Sequence, residues 1–352
     1  MDRGAQNRGS GEVREAHRFD VGRLEAWMRA EVEGFAGPLE VEQFKGGQSN
    51  PTYKLITAGR SYVLRRKPPG KLLPGAHAVD REYRVISALA AQGFPVARAY
   101  GLCLDEAVIG TPFYVMEMVE GRIFWDAALP EVPREERPAY FDAMNATIAQ
   151  LHLIDPEGAG LGDYGKPGNY FERQIGRWSK QYLGDVEAGR VEAMDRLVEW
   201  LPLNIPPDEP QARVIHGDFR CDNMIFHATE PKVLAVLDWE LSTLGHPLAD
   251  FSYHLMMYRM PDALAGKDLA ALNLPSEDEY VAAYCRRTGR DGLPDLDFYL
   301  AFNLFRLAAI VHGIKGRLVR GNASSGHAAE MVKRLEPLAD LAWAQAQKAE
   351  GR

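Results

Sequence analysis

Apolar and polar residues alternate with a period of two along several segments in the first third of the chain. This alternation predicts strands at residues 41–45, 52–57 and 61–67, because successive side chains of a strand point to opposite faces. The apolar run Phe113–Gly121 predicts a further strand that stops at a glycine. We therefore expect a sheet in the first third of the chain.

Helical spacing interrupts these strands once and dominates from residue 138 onward. Tyr83, Ile86 and Leu89 lie three residues apart and would share one face of a helix. Further helices are predicted at residues 19–32, 139–154, 171–184, 187–201, 277–287, 298–318 and 328–347. Short strands return only before His216 and Asp238. Periodicity alone therefore predicts an α+β fold.

These patterns divide the chain into three segments. Residues 1–18 begin with a polar, glycine-bearing stretch and predict a disordered tail. Residues 19–120 are predicted to form a small N-terminal lobe that contains the sheet, and residues 121–352 a large, mainly helical C-terminal lobe. A chain of 352 residues is long enough for a two-domain protein with a large core.

Composition and charge narrow the classes of function. The chain is 46% hydrophobic, which is typical of a globular protein, and its net charge of −8 argues against binding to nucleic acid. The three cysteines form no C-x-x-C pair, which favours reduced thiols and a cytoplasmic location. No apolar leader opens the sequence, and the most apolar helix, at 299–314, contains Arg306 and His312 and is expected to be too short for a bilayer. We expect a small-molecule substrate, no nucleic acid and no membrane insertion; the sequence does not specify the oligomeric state.

The most informative polar residues lie in the run His216-Gly217-Asp218, which Asn223 follows after a short loop, and at Asp238, which ends an apolar strand. Phosphoryl transfer from a nucleotide requires a carboxylate beside the attacking hydroxyl, and oxygen ligands that hold Mg²⁺ against the phosphates. Asp218 fits the catalytic role, and Asn223 and Asp238 fit the metal role. His216 is a second candidate at the catalytic centre, although bracing of the loop explains it better than proton transfer does.

Three neighbouring acidic residues have a less specific interpretation. Asp222 and Glu240 could be auxiliary metal ligands, or they could be solvated and capping residues. Asp250 follows in the run Gly245–Asp250. We interpret Asp250 as a brace that caps a helix or holds the catalytic loop.

The order H-G-D-x4-N, followed by a hydrophobic strand that ends in Asp, resembles the catalytic centre of the aminoglycoside-phosphotransferase-like kinases. That family is related to the protein kinases, whose version is H-R-D-x4-N followed by D-F-G. The resemblance implies a bilobal protein-kinase-like fold, in which residues 19–120 bind the nucleotide on an antiparallel sheet and residues 121–352 carry the catalytic and substrate residues. It also implies Mg²⁺ as cofactor and ATP or GTP as co-substrate.

A glycine pair stands where a nucleotide-covering loop is expected in that family. Gly46, Gly47, Ser49 and Asn50 match its G-G-x-S-N run. Paired glycines allow the backbone to approach closely, so that N–H groups can face phosphate. A plain hairpin turn would use the same residues.

The strand and helix that follow match the phosphate-binding part of the family, with one departure. Arg65 occupies the position where kinases usually carry a lysine, and Lys67 is the alternative. Arginine can bind phosphate through two N–H groups, so the role is physically tenable. Glu82 is the expected ion-pair partner. Glu117 and Val119 are expected at the hinge, where the backbone would bind the adenine edge.

Charge alone indicates the class of phosphate acceptor. Residues 286–320 contain seven basic residues and three acidic ones, which favours an anionic acceptor over a polycationic aminoglycoside. Arg306 interrupts an apolar helix and needs a partner or a ligand. Arg306, Arg317 and Arg320 are therefore the candidate substrate-binding residues, with solvated helix faces as the alternative.

Three longer runs carry a closer resemblance. Val63–Tyr83, Leu237–Tyr253 and Phe302–Ile314 are similar to the kinase-like domain fused to acyl-CoA dehydrogenase family members 10 and 11, and to its stand-alone bacterial relatives. This resemblance implies a small-molecule kinase whose acceptor is a hydroxyacyl-CoA or a related anionic metabolite. Two alternatives stay open: an antibiotic phosphotransferase that acts on an aminoglycoside or a macrolide, and a non-catalytic nucleotide-binding protein of kinase-like fold.

Overall fold

The computed structural model describes residues 9–45, 50–68, 77–207, 209, 211–321 and 327–351. Within these ranges the chain folds into two compact units, each assembled from separate segments. The first unit draws on the described residues within Met1–Tyr164, Arg220–Ser242 and Leu272–Leu274, and the second on those within Gly165–Phe219, Thr243–Ala271 and Pro275–Arg352. The units do not follow the predicted boundary at residue 120, because residues 220–242 return to pair with the first part of the chain.

A six-stranded antiparallel sheet forms the centre of the first unit. Its strands are β1 (Ser10–Gly11), β2 (Glu40–Phe44), β3 (Thr52–Ile56), β4 (Ser61–Arg66), β5 (Ala99–Cys103) and β6 (Phe113–Glu117). Their order across the sheet is β1-β2-β3-β4-β6-β5. The sequence pattern predicts β2, β3, β4 and β6 but not β1 and β5, which are very short or lack a clear alternation.

Four short strands form two further antiparallel pairs. They are β7 (Arg213–Ile215), β8 (Met224–Phe226), β9 (Val233–Val236) and β10 (Thr243–Gly245). The hairpin β8–β9 belongs to the first unit, whereas β7 pairs with β10 in the second. Strands β7 and β9 match the predicted strands that lead to His216 and Asp238.

Helices occupy most of the chain after residue 137. The α-helices of the described residues are α1 (Val21–Glu31), α2 (Val79–Ala91), α3 (Glu106–Ile109), α4 (Arg137–Leu153), α5 (Tyr170–Gly184), α6 (Glu192–Leu203), α7 (Pro247–Leu255), α8 (Leu269–Leu272), α9 (Glu277–Thr288), α10 (Leu296–Val319), α11 (His327–Val332) and α12 (Leu335–Glu350). Two predicted helices are shorter than expected. The segment 187–201 contains a 3₁₀ turn before α6, and the segment 328–347 is divided between α11 and α12.

The predicted disordered tail, residues 1–18, is wrong for the part of it that the structure describes. Strand β1 pairs with β2, and a 3₁₀ turn follows at Glu15–His17. The Tyr53 hydroxyl donates a hydrogen bond of 3.2 Å to the His17 carbonyl. A polar segment can satisfy the backbone groups of an edge strand as well as an apolar one can, so composition alone did not reveal this pairing.

The alternation along β4 gives the sheet two different faces. Tyr62 and Leu64 belong to the same buried cluster as Leu24 of α1. Val63 and Arg65 point to the opposite face and line a cavity. One face of the sheet therefore packs against a helix, and the other is available for a ligand.

Helix α10 forms the core of the second unit, where it packs against α5, α7 and α12. With 24 residues it is long enough and apolar enough to cross a membrane, so the expectation that it is too short is wrong. However, 78% of its most apolar window is buried inside the protein, as in the core helix of a globular unit. Its length therefore does not by itself indicate a membrane span.

Candidate active site

A cavity of about 830 Å³ lies in the first unit. Strands β3, β4 and β6, the segment that follows β6, and the hairpin β8–β9 line it. Val63, Ile225 and Val236 supply apolar lining, while Arg65 and Asp238 supply opposite charges. A concave site that combines an apolar wall with a few charged groups is typical of sites for small molecules.

Arg65 is buried at the wall of this cavity between two carboxylates. Its Nε atom lies 3.0 Å from Glu82 Oε2, and its Nη2 atom lies 3.0 Å from Asp238 Oδ1. The predicted Arg65–Glu82 ion pair is therefore present, and the contact with Asp238 is additional. Burial by itself lowers the pKa of Arg65, but Glu82, Tyr114 and Asp238 together raise it, so the guanidinium stays charged.

Glu82 is held by further polar side chains that the sequence did not single out for this purpose. It is 2% exposed, and it accepts hydrogen bonds from Asn50 Nδ2 at 2.7 Å and from the Tyr114 hydroxyl at 3.0 Å. The Asn50 amide oxygen lies 2.9 Å from His77 Nδ1. Burial raises the pKa of the Glu82 carboxyl, and the charge of Arg65 opposes that shift. These contacts fix the orientation of the carboxylate toward Arg65.

Asn50 was predicted to bind nucleotide, but in the structure it supports Glu82 and is 1% exposed. Gly46, Gly47 and Ser49 lie outside the described residues, so the proposed phosphate-covering loop stays a prediction. Lys54 of β3 lines the cavity and was missed by sequence reasoning. In the sequence, the only indication of this role was the position of Lys54 on the strand that follows the glycine pair.

A backbone hydrogen bond joins the segments that carry Asn223 and Asp238. The N–H of Leu237, which precedes Asp238, donates to the Asn223 carbonyl at 2.8 Å. Asp238 has a φ of 64° and a ψ of 63°, in the left-handed region that aspartate tolerates better than most residues. Both residues line the cavity, and so does Asp222.

This set of oxygen donors fits Mg²⁺. That ion commonly takes one or two protein carboxylates and completes its shell with water and substrate phosphates. Within the described parts of the chain, no cluster of three His, Cys, Asp or Glu side chains forms a metal site by itself. Asn223 and Asp238 could therefore supply two protein ligands to an ion that also binds the phosphates of a nucleotide.

The segment after β6 lies where the hinge was predicted. Glu117 and Val119 both line the cavity. The Glu117 N–H donates to the Arg98 carbonyl at 2.8 Å and is therefore engaged within the sheet. A side chain at Gly121 would collide with the Phe226 carbonyl, so only glycine allows the hinge segment to approach β8 this closely.

The loop that carries Asp218 is fixed by helix α7 in the second unit. The two carboxylate oxygens of Asp250 accept the N–H groups of His216 and Gly217, at 2.8 and 2.7 Å. This confirms the prediction that Asp250 braces the loop. Gly217 has a φ of 84°, which favours glycine. His216 is fully buried, and its Nδ1 accepts the Asp218 N–H at 3.1 Å, so its observed contact is also a brace.

Two side chains reach this loop from outside the motif. The Tyr253 hydroxyl donates to Asp218 Oδ1 at 2.6 Å. Arg306 Nη2 donates to the Gly217 carbonyl at 2.9 Å, and its guanidinium lies 5.3 Å from the centre of the Tyr253 ring. Arg306 is buried against the loop, so its observed contact is a brace, and its role in substrate binding stays a prediction. Tyr253 could have been found, since it lies one helical turn after Asp250 and so shares its face.

The basic excess of residues 286–320 is partly neutralised by acidic residues from other segments of the second unit. Arg290 makes a two-point contact with Glu209, at 2.5 and 2.8 Å. Arg320 makes a similar contact with Asp185, at 2.6 and 3.0 Å. The prediction that Arg320 binds substrate is therefore weakened, whereas Arg317 is exposed near the end of α10. A count within one segment could not show partners that lie elsewhere in the sequence.

Comparison with known proteins identifies relatives along most of the chain. A family model described as "Phosphotransferase enzyme family" matches residues 40–299. Acyl-CoA dehydrogenase family member 11 of Gallus gallus is 47% identical over 344 residues, which are 94% of this chain and 44% of that protein. Acyl-CoA dehydrogenase family member 10 of Mus musculus is 45% identical over 313 residues, which are 87% of this chain and 29% of that protein. The chain thus spans less than half the length of these curated relatives.

Solved structures of similar fold include that of a candidate aminoglycoside phosphotransferase from Ralstonia eutropha JMP134. It is 53% identical, has a TM-score of 0.87, and the match covers 94% of this chain and 99% of that one. A microcompartment-associated aminopropanol kinase has a TM-score of 0.61 at 16% identity, with 94% and 98% of the two chains covered, which is a similarity of fold alone. The predicted α+β, kinase-like fold class is thereby confirmed.

Proposed function

Because the chain belongs to the phosphotransferase enzyme family, we propose that it is a small-molecule kinase that transfers a phosphoryl group from ATP or GTP to a hydroxyl group. The observation that carries this proposal is the Arg65 guanidinium, which lies between Glu82 and Asp238 in the wall of the cavity. A buried ion cluster of this kind adds little net stability, because the cost of removing its charges from water offsets their attraction. Such clusters are concentrated at functional sites.

Each residue has a separate task in this mechanism. Arg65 holds the nucleotide phosphates, and Glu82 fixes the orientation of the guanidinium. Asn223 and Asp238 would hold Mg²⁺, which when bound neutralises charge on the phosphates. Asp218 orients the acceptor hydroxyl and accepts its proton while the oxygen forms a bond to the γ-phosphorus. The bond from that phosphorus to the bridging oxygen breaks, and the nucleoside diphosphate leaves.

Two substitutions separate these tasks. Asp218→Asn should abolish transfer and leave nucleotide binding nearly intact, because the residue acts on the acceptor. Asp238→Ala should instead weaken binding of the magnesium nucleotide. Calorimetric titration with ATP and GTP, combined with a transfer assay, measures both effects. Interchanged effects would contradict the assigned roles, and nucleotide binding without transfer to any acceptor would favour the non-catalytic alternative.

We further propose that the acceptor is a hydroxyacyl-CoA or a related anionic metabolite. The relatives from chicken and mouse are named as acyl-CoA dehydrogenase family members, and this chain matches 44% and 29% of their lengths. An activity carried on the same longer chain as a dehydrogenase is expected to act on a chemically related metabolite. The exposed Arg317 is the residue of the predicted basic set that this proposal still uses for the acceptor.

The second candidate function is antibiotic phosphorylation, which the name given to the Ralstonia eutropha structure favours. The two candidates are distinguished by kcat/KM for a hydroxyacyl-CoA, a kanamycin-like aminoglycoside and a macrolide, each measured with ATP and with GTP. A preference for the hydroxyacyl-CoA supports the first candidate. A preference for the aminoglycoside would overturn it and the charge argument with it.

A further inference from the structure

The segment before helix α1 adds a strand to the edge of the sheet. Ser10 and Gly11 pair with Phe44 and Gln43 of β2 in antiparallel register, and the Lys45 N–H donates to the Gly9 carbonyl at 3.1 Å. The Ser10 hydroxyl also donates to Glu42 Oε2 at 2.6 Å. This segment lies outside residues 40–299, the part that the family model matches.

A second set of contacts ties the same segment to β2 and β3. The Arg14 N–H donates to the side-chain oxygen of Gln43 at 3.1 Å, and Gln43 Nε2 lies 2.8 Å from His17 Nδ1. The Tyr53 hydroxyl donates to the His17 carbonyl. Gln43 is 6% exposed, so its two side-chain bonds are made away from water. Residues 9–17 are therefore attached along their length to β2 and β3.

These residues also form part of the cavity wall. Gly9 and Ser10 line the cavity together with Phe44, Lys54 and Arg65. Lys54 and Arg65 are cationic, and phosphate groups are the part of a nucleotide that such side chains bind. The segment after β6, where the base was predicted to lie, lines the same cavity, and β6 is four places from β1 in the sheet. In the order of the sheet, β1 thus lies nearer to the strands that carry Lys54 and Arg65 than to β6.

We propose that residues 9–17 are a structural part of the nucleotide site and that they hold β2 and β3 in place for the phosphate-bearing end of the nucleotide. This inference rests on the proposed kinase function. Its physical basis is preorganisation: a wall that is already ordered loses less conformational entropy when a ligand binds. The segment is therefore expected to strengthen the binding of ATP far more than that of adenosine, which lacks the phosphates.

The test compares three forms of the protein by calorimetry with magnesium ATP and with adenosine. Removal of residues 1–12 should weaken ATP binding about tenfold, which corresponds to about 1.4 kcal/mol. Adenosine binding should stay nearly unchanged. Removal of residues 1–8, which keeps Gly9 and β1, is the matched control and should bind both ligands as the full chain does. Thermal melting of each form shows whether it is folded at the temperature of the titration.

A pair of full-length variants covers the case in which the truncated form does not fold. Gly9 has a φ of 87°, which a β-branched residue adopts only at a cost, so Gly9→Val should disturb the cavity wall and weaken ATP binding. Gly59→Val introduces the same side chain at an exposed glycine outside residues 9–17 and outside the cavity lining, where the φ is ordinary and a Cβ meets nothing within 4 Å, and it should have little effect.

The possible outcomes separate this inference from the proposed function. If the full chain binds ATP and the form without residues 1–12 binds it equally well, the inference is overturned and the kinase proposal stands. An equal loss for ATP and adenosine also overturns it, because the effect would then not concern the phosphates. If the full chain binds neither ATP nor GTP, the proposed function fails and this inference fails with it.

Discussion

Arg65 reaches two carboxylates at once because the Nε and Nη atoms of its planar guanidinium point in different directions. A lysine would place its charge at a single nitrogen. Glu82 and Asp238 each lie 3.0 Å from the guanidinium, so the arginine couples helix α2 to the turn that carries Asp238. The sequence identified the position of the cation and its partner on the helix, but not the contact with Asp238.

Replacing Arg65 with methionine should lower the free energy of unfolding by about 3 kcal/mol, because Glu82 would stay buried without its cation. Arg65→Lys should keep most of this stability but weaken ATP binding, since the contact with Asp238 would be lost. Denaturant unfolding and calorimetry measure these effects. Lys67→Met, at a half-buried residue that follows β4, is the control and should change neither quantity. If Arg65→Met and Lys67→Met lose equal amounts of stability and ATP affinity, Arg65 has no specific role as the buried cation.

At the scale of secondary-structure elements, helix α7 determines the shape of the catalytic loop. Asp250 accepts two backbone N–H groups from the loop, and Tyr253 donates to the Asp218 carboxylate from the same helix. Because Asp250 and Tyr253 are one turn apart, a single rigid element positions both ends of the run His216-Gly217-Asp218. The predicted brace is thus a property of the helix rather than of one residue.

Asp250→Asn should destabilise the protein by about 2 kcal/mol, because one of two buried N–H groups would face an amide donor instead of a carboxylate oxygen. The displaced loop should also reduce kcat strongly, since small errors in the position of a catalytic group are costly. The control is Asp262→Asn, in an exposed pair with Arg334, where the expected loss of stability is below about 1 kcal/mol. Similar losses in stability for the two variants would contradict the brace.

Helix α7 also places a neutral histidine behind the loop. His254 Nδ1 lies 3.2 Å from the Phe219 carbonyl, and Nε2 lies 2.7 Å from the Tyr280 hydroxyl. Since a carbonyl can only accept, Nδ1 carries the proton and Nε2 accepts from Tyr280. Burial lowers the pKa of His254 from its ordinary value of 6.5 to about 4.

The lowered pKa of His254 predicts a loss of stability in mild acid. Between about pH 6.5 and 4 the unfolded chain binds a proton that the folded protein does not. The free energy of unfolding that depends on neutral His254 is fully present above pH 6.5. It is lost as the pH falls toward 4, by about 3 kcal/mol in total. Urea unfolding at several pH values measures this slope, and His254→Asn should make it shallower. An unchanged slope in that variant would show that other groups cause the acid sensitivity.

At the scale of the whole molecule, the distribution of charge decides which arginines are available to a ligand. The chain has a net charge of −8, so a basic surface must be local. Arg290 and Arg320 are each paired with acidic residues from distant segments, and Arg306 is bonded to the catalytic loop. The exposed Arg317 is the member of the predicted substrate set on which the acceptor proposal rests.

Reversing the charge of two neighbouring arginines tests this distinction. Arg317→Glu should raise KM for a hydroxyacyl-CoA, leave kcat and the melting temperature nearly unchanged, and reduce the dependence of KM on salt. Arg320→Glu should instead lower the melting temperature, because it would place a carboxylate beside Asp185 and Glu187. If Arg317→Glu leaves KM unchanged at low salt, Arg317 does not bind the acceptor.

Most of the elements and the chemical type of the site follow from the amino-acid sequence, because both depend on short-range patterns. The alternation of β2 to β4 and β6, the helical spacing after residue 138, and the motif from His216 to Asn223 are each complete within a few residues. The order of these motifs along the chain then indicated the kinase-like fold class. Strand β1 was not predicted because its two residues have no pattern of their own and are stabilised by pairing with β2.

The tertiary fold sets which charged groups meet. Arg65 and Asp238 are 173 residues apart, Arg306 and Gly217 are 89 apart, and Arg320 and Asp185 are 135 apart. No local pattern connects such pairs, because the cost of burying a charge is removed by whichever partner the fold brings near. An arginine that looks like a ligand-binding residue in the sequence therefore became a loop brace in one case and half of an ion pair in another.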